Sequence, residues 1–175
     1  MRNEFKNDHN KSRKRCFFPV LVLLWMLAIF LMSSQPADDS TETSLRVGEA
    51  IGKIFVPGYI GWSEEAQLEF AENIDHPVRK AAHATEYTIL GILLFMTCRE
   101  SFGMNLKASF KNAFLLGTAY AVTDEFHQLF VPGRAGMISD VLIDSLGVLF
   151  GCLLASALCR ILRKKRNVST KGMCL

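Results

Sequence analysis

Two segments of the sequence carry acids and histidines at spacings that suit acid–base chemistry. Asp124, His127 and Gln128 occupy the i, i+3 and i+4 positions of one helix face, and His83 and Glu86 lie three residues apart on another. Histidine titrates near neutral pH and a nearby carboxylate can orient it, so Asp124 and His127 can form an acid–base pair. The pattern therefore indicates a polar site that can transfer protons.

A third segment adds two aspartates four residues apart, and the turn before it adds an arginine. Arg134 in that turn can pair with Asp140 or bind an anion such as phosphate. The predicted catalytic or pocket-lining residues are His83, Glu86, Asp124, His127, Asp140 and Asp144. The predicted ligand-binding residues are Lys80, Gln128, Arg134 and Ser34.

Simpler roles fit the same residues. His83 and Glu86 can be interhelical hydrogen-bonding groups, residues 124–128 can be a polar helix end, and Asp140 can cap a helix. Glu125 is expected to point away from its neighbouring acid and into solvent. A divalent metal site with carboxylate and imidazole ligands is another alternative. No H-E-x-x-H spacing supports it, so neither a metal ligand nor a cofactor is predicted.

Long apolar segments position these residues. A helix that crosses a bilayer needs about 20 mostly apolar residues at 1.5 Å each. Four spans are predicted, at about 16–34, 79–98, 109–130 and 138–160. The third must include part of the polar stretch to be long enough. The predicted fold is therefore all-α, an integral membrane four-helix bundle.

The predicted outer loop, residues 35–78, is acidic, with nine acids against four bases between Ser33 and Lys80. It carries two short amphipathic patterns, at 47–55 and 66–74, which Pro57-Gly58 separates. Asp75-His76-Pro77 is typical of a helix start and is predicted to begin the second span. Pro132-Gly133 predicts a tight reversal before the fourth span.

Basic residues predict the orientation. The arm 1–15 and the tail 163–175 are basic, and the linker between the second and third spans carries three bases against one acid. Because basic segments stay cytoplasmic, both termini are predicted inside a multi-pass cell-membrane protein. The lipid bilayer is then a partner and nucleic acid is not. A cleaved signal peptide remains an alternative for the first span. The five cysteines show no disulfide or zinc spacing.

With this topology, all the acids at membrane depth lie in the outer half of the bilayer. An ionised acid that faces lipid costs about 2.5 kcal/mol at the helix centre, so these acids face inward, pair or contact water. The sequence therefore predicts one polar pocket at the outer end of the bundle. Gly147, Gly151 and Ala155 form a small-residue stripe, which indicates close helix packing.

Three stretches of the chain resemble the VanZ-like family of small bacterial membrane proteins. They are SSQP at 33–36, KAAHATEYTILG at 80–91 and DEFHQLFVPGRAGMISDVLIDSLGVLFG at 124–151. The resemblance covers about residues 17–160. It implies four membrane helices and a link to glycopeptide resistance, because the family's namesake lowers susceptibility to teicoplanin.

Four functions are compatible with this sequence. The first is a cell-envelope protein whose outer pocket binds a lipid-linked envelope precursor or a lipoglycopeptide. The second is a membrane-embedded acid–base enzyme that acts on a lipid or lipid-linked phosphate at the outer leaflet. A metal-site protein is the third. A proton-coupled transporter, the fourth, is disfavoured because the spans show no internal repeat. No oligomeric state is predicted.

Overall fold

A computed structural model describes the backbone of residues 2–172 and the side chains of residues 15–163. Within residues 2–172 the chain forms helices and turns and contains no strand, which confirms the all-α prediction. The five α-helices are α1 (Arg2–Ser33), α2 (Ala37–Phe55), α3 (Glu64–Met96), α4 (Leu106–Gln128) and α5 (Ile138–Gly172). A 3-10 turn, Tyr59–Gly61, follows α2, and a π-helix, Thr97–Ser101, continues α3. Cys174 and the other residues of 173–175 lie outside the described part.

Three helices are long and apolar enough to cross a membrane. The segments with this property are Arg15–Ser33 in α1, Glu64–Ser101 across α3 and its π-helical end, and Ile138–Arg163 in α5. The predicted third span, 109–130, falls on α4, which does not meet the same standard. Its lysines near the start and acids near the end lower its average hydropathy. The structure therefore supports a membrane protein with three clear candidate spans.

The predicted outer loop is more helical than its sequence suggests. The pattern at 47–55 belongs to α2, which begins after Pro36. Two acids in its first turn stabilise the helix because they lie at the positive end of the helix dipole. The pattern at 66–74 belongs to the start of α3, where Ser63 caps the helix by accepting a hydrogen bond from the Ala66 backbone N–H at 3.3 Å. The acidic loop therefore consists mostly of α2 and the first turns of α3.

The predicted helix start at Asp75-His76-Pro77 is wrong. Helix α3 continues through Pro77 without a break. Pro77 is exposed, so its ring and the carbonyl group that it leaves without a helical partner lie at the surface of the helix. Asp75 does not cap a helix, and its carboxylate instead accepts from the Ser44 hydroxyl and pairs with Arg79.

Glycines allow α3 and α5 to pack closely. A Cβ atom on Gly147 would lie 2.6 Å from the Ala84 carbonyl oxygen, and one on Gly91 would lie 2.5 Å from the Val148 carbonyl oxygen. Gly151 faces the backbone of Thr88 in the same way. Since a side chain at these positions would meet backbone atoms, the predicted packing role of the small-residue stripe is confirmed.

Helix α1 is held to the bundle by hydrogen bonds to backbone carbonyls. Trp25 Nε1 donates to the Glu86 carbonyl oxygen of α3 at 2.9 Å. The Tyr120 hydroxyl of α4 donates to the Met26 carbonyl oxygen at 2.6 Å. On the outside of the bundle, large apolar side chains are exposed on several helices, including Leu23 and Leu27 on α1, Leu115 and Phe126 on α4, and Leu146 and Leu153 on α5.

The predicted reversal between α4 and α5 is confirmed. Gly133 has a φ of 74°, which glycine adopts without strain, and the Arg134 N–H donates to the Val131 carbonyl oxygen across the turn at 3.1 Å. The turn lies against the start of α2, where the Ala37 N–H donates to the Pro132 carbonyl oxygen at 3.2 Å. The α1–α2 and α4–α5 connections therefore meet at one end of the bundle.

Candidate functional site

Three predicted site residues, one from each of α3, α4 and α5, converge inside the bundle. One ligand-type atom of each of His83, Asp124 and Asp144 lies within 4.8 Å of the same kind of atom on the other two. Asp144 is 0% exposed and Asp124 is 3% exposed. The His83 Nδ1 atom and the Asp144 Oδ1 atom are 4.0 Å apart, which is too long for a hydrogen bond. We call these three residues the buried cluster.

Tyr87 completes the buried cluster and was not among the predicted site residues. Its side chain is fully buried, and its hydroxyl donates to Asp124 Oδ2 at 3.2 Å. Tyr87 lies four residues after His83, so it shares that residue's helix face. The same spacing rule that grouped the histidine with Glu86 could therefore have identified it.

A cavity of about 710 Å³ lies between α1, α2 and α3. Its apolar lining includes Trp25, Met32, Val47, Ile51 and Ile89. Its polar lining includes Ser33, Arg79, His83, Glu86 and Arg134. Apolar residues thus share one cavity with two arginines and an acid, which is the surface that an amphiphilic molecule with an anionic group requires.

The predicted residues therefore do not all surround one pocket. His83 and Glu86 line the cavity, whereas Asp124 and Asp144 lie in the buried cluster and do not line it. His83 belongs to both places. Its side chain therefore lies next to the cavity and also next to the carboxylates of Asp124 and Asp144.

Asp140 and Lys80 form an ion pair with each other. Lys80 Nζ lies 2.5 Å from Asp140 Oδ1, and Ser139 Oγ donates to the same oxygen. Asp140 is in the first turn of α5 rather than at its cap position. The expectations that Asp140 caps the helix or pairs with Arg134 are therefore wrong, since Lys80 on the neighbouring helix occupies its carboxylate.

His127 contacts α1 rather than Asp124. Its Nε2 atom lies 3.1 Å from the Ser34 hydroxyl, and its ring lies 4.6 Å from the Phe30 ring. Among the described side chains, Asp124 accepts from Tyr87 and shows no hydrogen bond to His127. The predicted acid–base pair is therefore absent because the two side chains, though three residues apart, contact different helices.

The serine that lines the cavity is Ser33 and not the predicted Ser34. Ser33 is buried and belongs to the cavity wall. Ser34 donates to the Phe30 carbonyl oxygen at 2.6 Å and contacts His127. Ser33 is the last residue of α1 and Ser34 begins the turn after it, so the position of the helix end decides which of them faces the cavity.

Arg134 lies in the α4–α5 turn and reaches the cavity from the side of the loops. Its Nε atom donates to the Gln35 carbonyl oxygen at 3.1 Å, which orients the guanidinium. Partial burial lowers the pKa of Arg134 from its ordinary value, and nearby Arg79 lowers it further. The positive charge is thus partly desolvated, which favours an anionic ligand at this point of the cavity.

Glu125 and Gln128 lie inside the protein. Glu125 is 5% exposed, and its Oε2 accepts a hydrogen bond from the Met137 N–H at 2.9 Å. The expectation that Glu125 points into solvent is wrong because the turn before α5 folds back over the end of α4. Gln128 is 4% exposed, and its Nε2 has no partner among the described residues.

Comparison with known proteins identifies the family. No curated protein and no solved structure matched the sequence. The sequence model of the VanZ/LLP1 family matches residues 18–162, which include the buried cluster and every residue that lines the cavity. Since the match covers most of the chain, this protein belongs to the VanZ/LLP1 family.

Proposed function

We propose that this protein is a multi-pass bacterial cell-membrane protein that binds an anionic lipid or lipid-linked envelope precursor. The observation that carries the proposal is the lining of the cavity between α1, α2 and α3. Ile51 and Ile89 supply apolar surface, while Arg134 supplies positive charge beside Arg79, whose guanidinium pairs with Asp75. A phosphate-bearing head beside the arginines, with its chain along the apolar wall, satisfies both parts.

The size of the cavity limits the ligand. Pockets for drug-sized molecules have volumes of about 300–1,000 Å³, and this cavity has about 710 Å³. The space suits a compact head group and the first part of one chain. A whole lipoglycopeptide is larger than such a ligand, so any effect on teicoplanin is expected to act through the bound envelope lipid.

Arg134→Gln is expected to weaken the binding of a polyprenyl phosphate by about tenfold or more, since it removes a charge-assisted hydrogen bond. The measurement is a titration of the purified protein in detergent, read by native mass spectrometry. Arg46→Gln is the matched control, because Arg46 pairs with Glu42 on the exposed side of α2 and does not line the cavity.

A neutral polyprenol tests the contribution of the phosphate. The unmodified protein should bind the polyprenol more weakly than the phosphate, and Arg134→Gln should change the binding of polyprenol little. Equal affinity of the unmodified protein and Arg134→Gln for the phosphate would contradict the proposal, as would equal weakening by Arg46→Gln.

The proposal includes α4 as a fourth span, which places both termini in the cytoplasm. Helix α4 has 23 residues, so at 1.5 Å per residue it is about as long as the hydrocarbon core is thick. It packs beside α3 and α5 and exposes Leu115, Leu116 and Phe126 on its outer face. A helix with this length and outer surface can lie among the spanning helices despite its charged ends.

Cysteine labelling of intact cells tests this topology. In a variant without the native cysteines, Ser40→Cys and Ala135→Cys should react with an impermeant reagent, whereas Lys107→Cys should react only after lysis. Position 107 lies in the first turn of α4 and position 135 lies after its end, so they report on opposite ends of that helix. External labelling at 107, or the same response at 107 and 135, would exclude α4 as a span.

A link to glycopeptide susceptibility is part of the same proposal. If the protein binds an envelope lipid, its expression should change growth inhibition by teicoplanin more than inhibition by a glycopeptide without a lipid tail. The comparison requires strains with and without the gene. The same strains carrying Arg134→Gln should resemble the strain without the gene.

A second candidate function is acid–base catalysis on a lipid-linked phosphate. The observation that favours it is the placement of His83 and Glu86, which lie three residues apart on α3 and both line the cavity. A histidine and a carboxylate beside a bound phosphate can supply and remove protons. The arginines would then orient the phosphate for the reaction.

A further inference from the structure

The buried cluster contains more unpaired polar atoms than a stable membrane core should contain. Both carboxylate oxygens of Asp144, Asp124 Oδ1 and His83 Nδ1 are buried and have no hydrogen-bond partner among the described residues. Among the nearby cations, Lys80 is already paired with Asp140, and Arg134 donates to the Gln35 carbonyl oxygen rather than to the cluster. Buried charges normally pair with an opposite charge or coordinate a metal ion, because leaving them alone is costly. The two buried carboxylates therefore need a proton or a cation that the described side chains do not supply.

We propose that His83, Asp124 and Asp144 bind one divalent transition-metal ion, Zn²⁺ or Mn²⁺. The two carboxylates balance the charge of a dication. Imidazole nitrogen and carboxylate oxygen are the ligands that suit these ions. Each of the three residues lies on a different helix, so the ion would connect α3, α4 and α5 where they meet.

The geometry of the cluster fits a three-ligand site after a small contraction. The three ligand atoms lie within 4.8 Å of one another, whereas atoms bound to the same ion are separated by roughly 3.0–3.5 Å. The longest separation must therefore shorten by roughly 1.3–1.8 Å, which a shift of about 1 Å in each of two side chains achieves, and side-chain rotation in aspartate and histidine provides such shifts. The main chains of the three helices can therefore keep their packing when the ion binds.

Tyr87 orients one of the ligands. Its hydroxyl donates to Asp124 Oδ2, which leaves Asp124 Oδ1 without a hydrogen-bond partner among the described residues. Outer groups that hydrogen-bond to metal ligands fix the orientation of those ligands in many metal sites. A buried tyrosine in this role explains why Tyr87 is fully enclosed although its hydroxyl is polar.

A site with three protein ligands leaves at least one coordination position for another molecule. Because His83 also lines the cavity, that position can face the cavity. The metal would then contact the anionic head of a ligand there. Metal binding itself can be measured without any lipid, so its failure is distinguishable from a failure of the proposed function.

Metal analysis of purified protein tests the inference. The protein is expressed in medium with Zn²⁺ and Mn²⁺, purified in detergent through a tag without histidine, and analysed by plasma mass spectrometry. We expect about one Zn²⁺ or Mn²⁺ ion per chain. Asp144→Asn and His83→Ala are expected to contain roughly a tenth of that amount or less.

Glu125→Gln is the matched control. Glu125 is another buried carboxylate on α4, directly beside Asp124, and it also has one unpartnered oxygen, but it is outside the buried cluster. Its glutamine variant can still accept the Met137 N–H bond, and it should keep the metal. If Glu125→Gln lost as much metal as Asp144→Asn, the assignment of the three ligands would be wrong.

Thermal unfolding distinguishes a variant that has lost the metal site from a variant that folds poorly. After treatment with a chelator, adding Zn²⁺ or Mn²⁺ should raise the Tm of the unmodified protein by about 5 °C or more and leave the Tm of Asp144→Asn unchanged. In the chelated state Asp144→Asn should be at least as stable as the unmodified protein, because it lacks an unpaired buried carboxylate. An unmodified protein without bound metal and without a Tm shift would overturn the inference, as would an equal shift in Asp144→Asn.

Discussion

Gly147→Leu is expected to remove most of the folded protein from the membrane. A Cβ at Gly147 would already lie 2.6 Å from the Ala84 carbonyl oxygen of α3, and leucine adds three further carbon atoms. Helices α3 and α5 would have to separate, which would also disrupt the buried cluster between them. Overpacking of a core costs about 1–3 kcal/mol, and a rigid backbone contact places this variant at or above that range. Such a loss is a large part of a total stability of about 5–15 kcal/mol.

The measurement is the fraction of membrane-extracted protein that elutes as a single species on size-exclusion chromatography. Gly61→Leu is the matched control, since it adds the same side chain at a glycine whose Cβ would have no neighbouring atom within 4 Å. Gly61→Leu should elute like the unmodified protein. Normal elution of Gly147→Leu would show that α3 and α5 are not packed as closely as the structure has them.

His83→Ala is expected to abolish the cellular effect of the protein at normal membrane abundance, whereas His127→Ala should retain it. His83 lines the cavity and belongs to the buried cluster, so its loss removes a ligand contact and a metal ligand. If the protein is an enzyme, losing a group that transfers a proton lowers the rate by about 10²–10⁴-fold. Among the described residues His127 hydrogen-bonds to Ser34 and packs on Phe30, and a polar contact of this kind contributes about 0.6 kcal/mol in a membrane bundle.

The two histidine variants are compared in a strain in which the gene has a measurable envelope phenotype, such as altered teicoplanin susceptibility. Immunoblotting of the membrane fraction measures abundance, so a folding defect is separated from a loss of function. Loss of the phenotype in both variants at normal abundance would show that His127 is also a functional residue. An unchanged phenotype in His83→Ala would show that neither the cavity nor the buried cluster depends on this histidine for function.

Local sequence signals predicted the helical elements well where the structure depends on residues close in sequence and not on contacts with other helices. The apolar segment before Ser33 predicted the membrane part of α1, and Pro132-Gly133 predicted the reversal before α5 because proline and glycine have strong local preferences. Pro77 gave the wrong helix start, since a proline ends a helix only if its ring and the freed carbonyl are not accommodated. In α3 they lie on an exposed surface.

The residues of the candidate site were harder to group correctly. Spacing along one helix identifies a shared face, so it brought His83 together with Glu86, and both line the cavity. It could not show which neighbouring helix each face contacts. Asp124 and His127 satisfy the same spacing, yet Asp124 contacts Tyr87 of α3 and His127 contacts Phe30 of α1. Small rotations of a packed helix separate such residues, and those rotations depend on contacts such as Gly117 against Val148.

By itself, the sequence determined the helical class, the apolar segments and the family, because composition, short-range periodicity and motifs are properties of consecutive residues. The predicted site residues included the three members of the buried cluster, Glu86 and Arg134, but not Tyr87, Ser33 or Arg79. Only the tertiary structure decided which of them meet. His83, Asp124 and Asp144 come from helices that are far apart in the sequence, and close glycine-mediated packing brings their side chains together. Lys80 pairs with Asp140 for the same reason, and among the described residues no lysine or arginine forms a salt bridge with the two buried carboxylates.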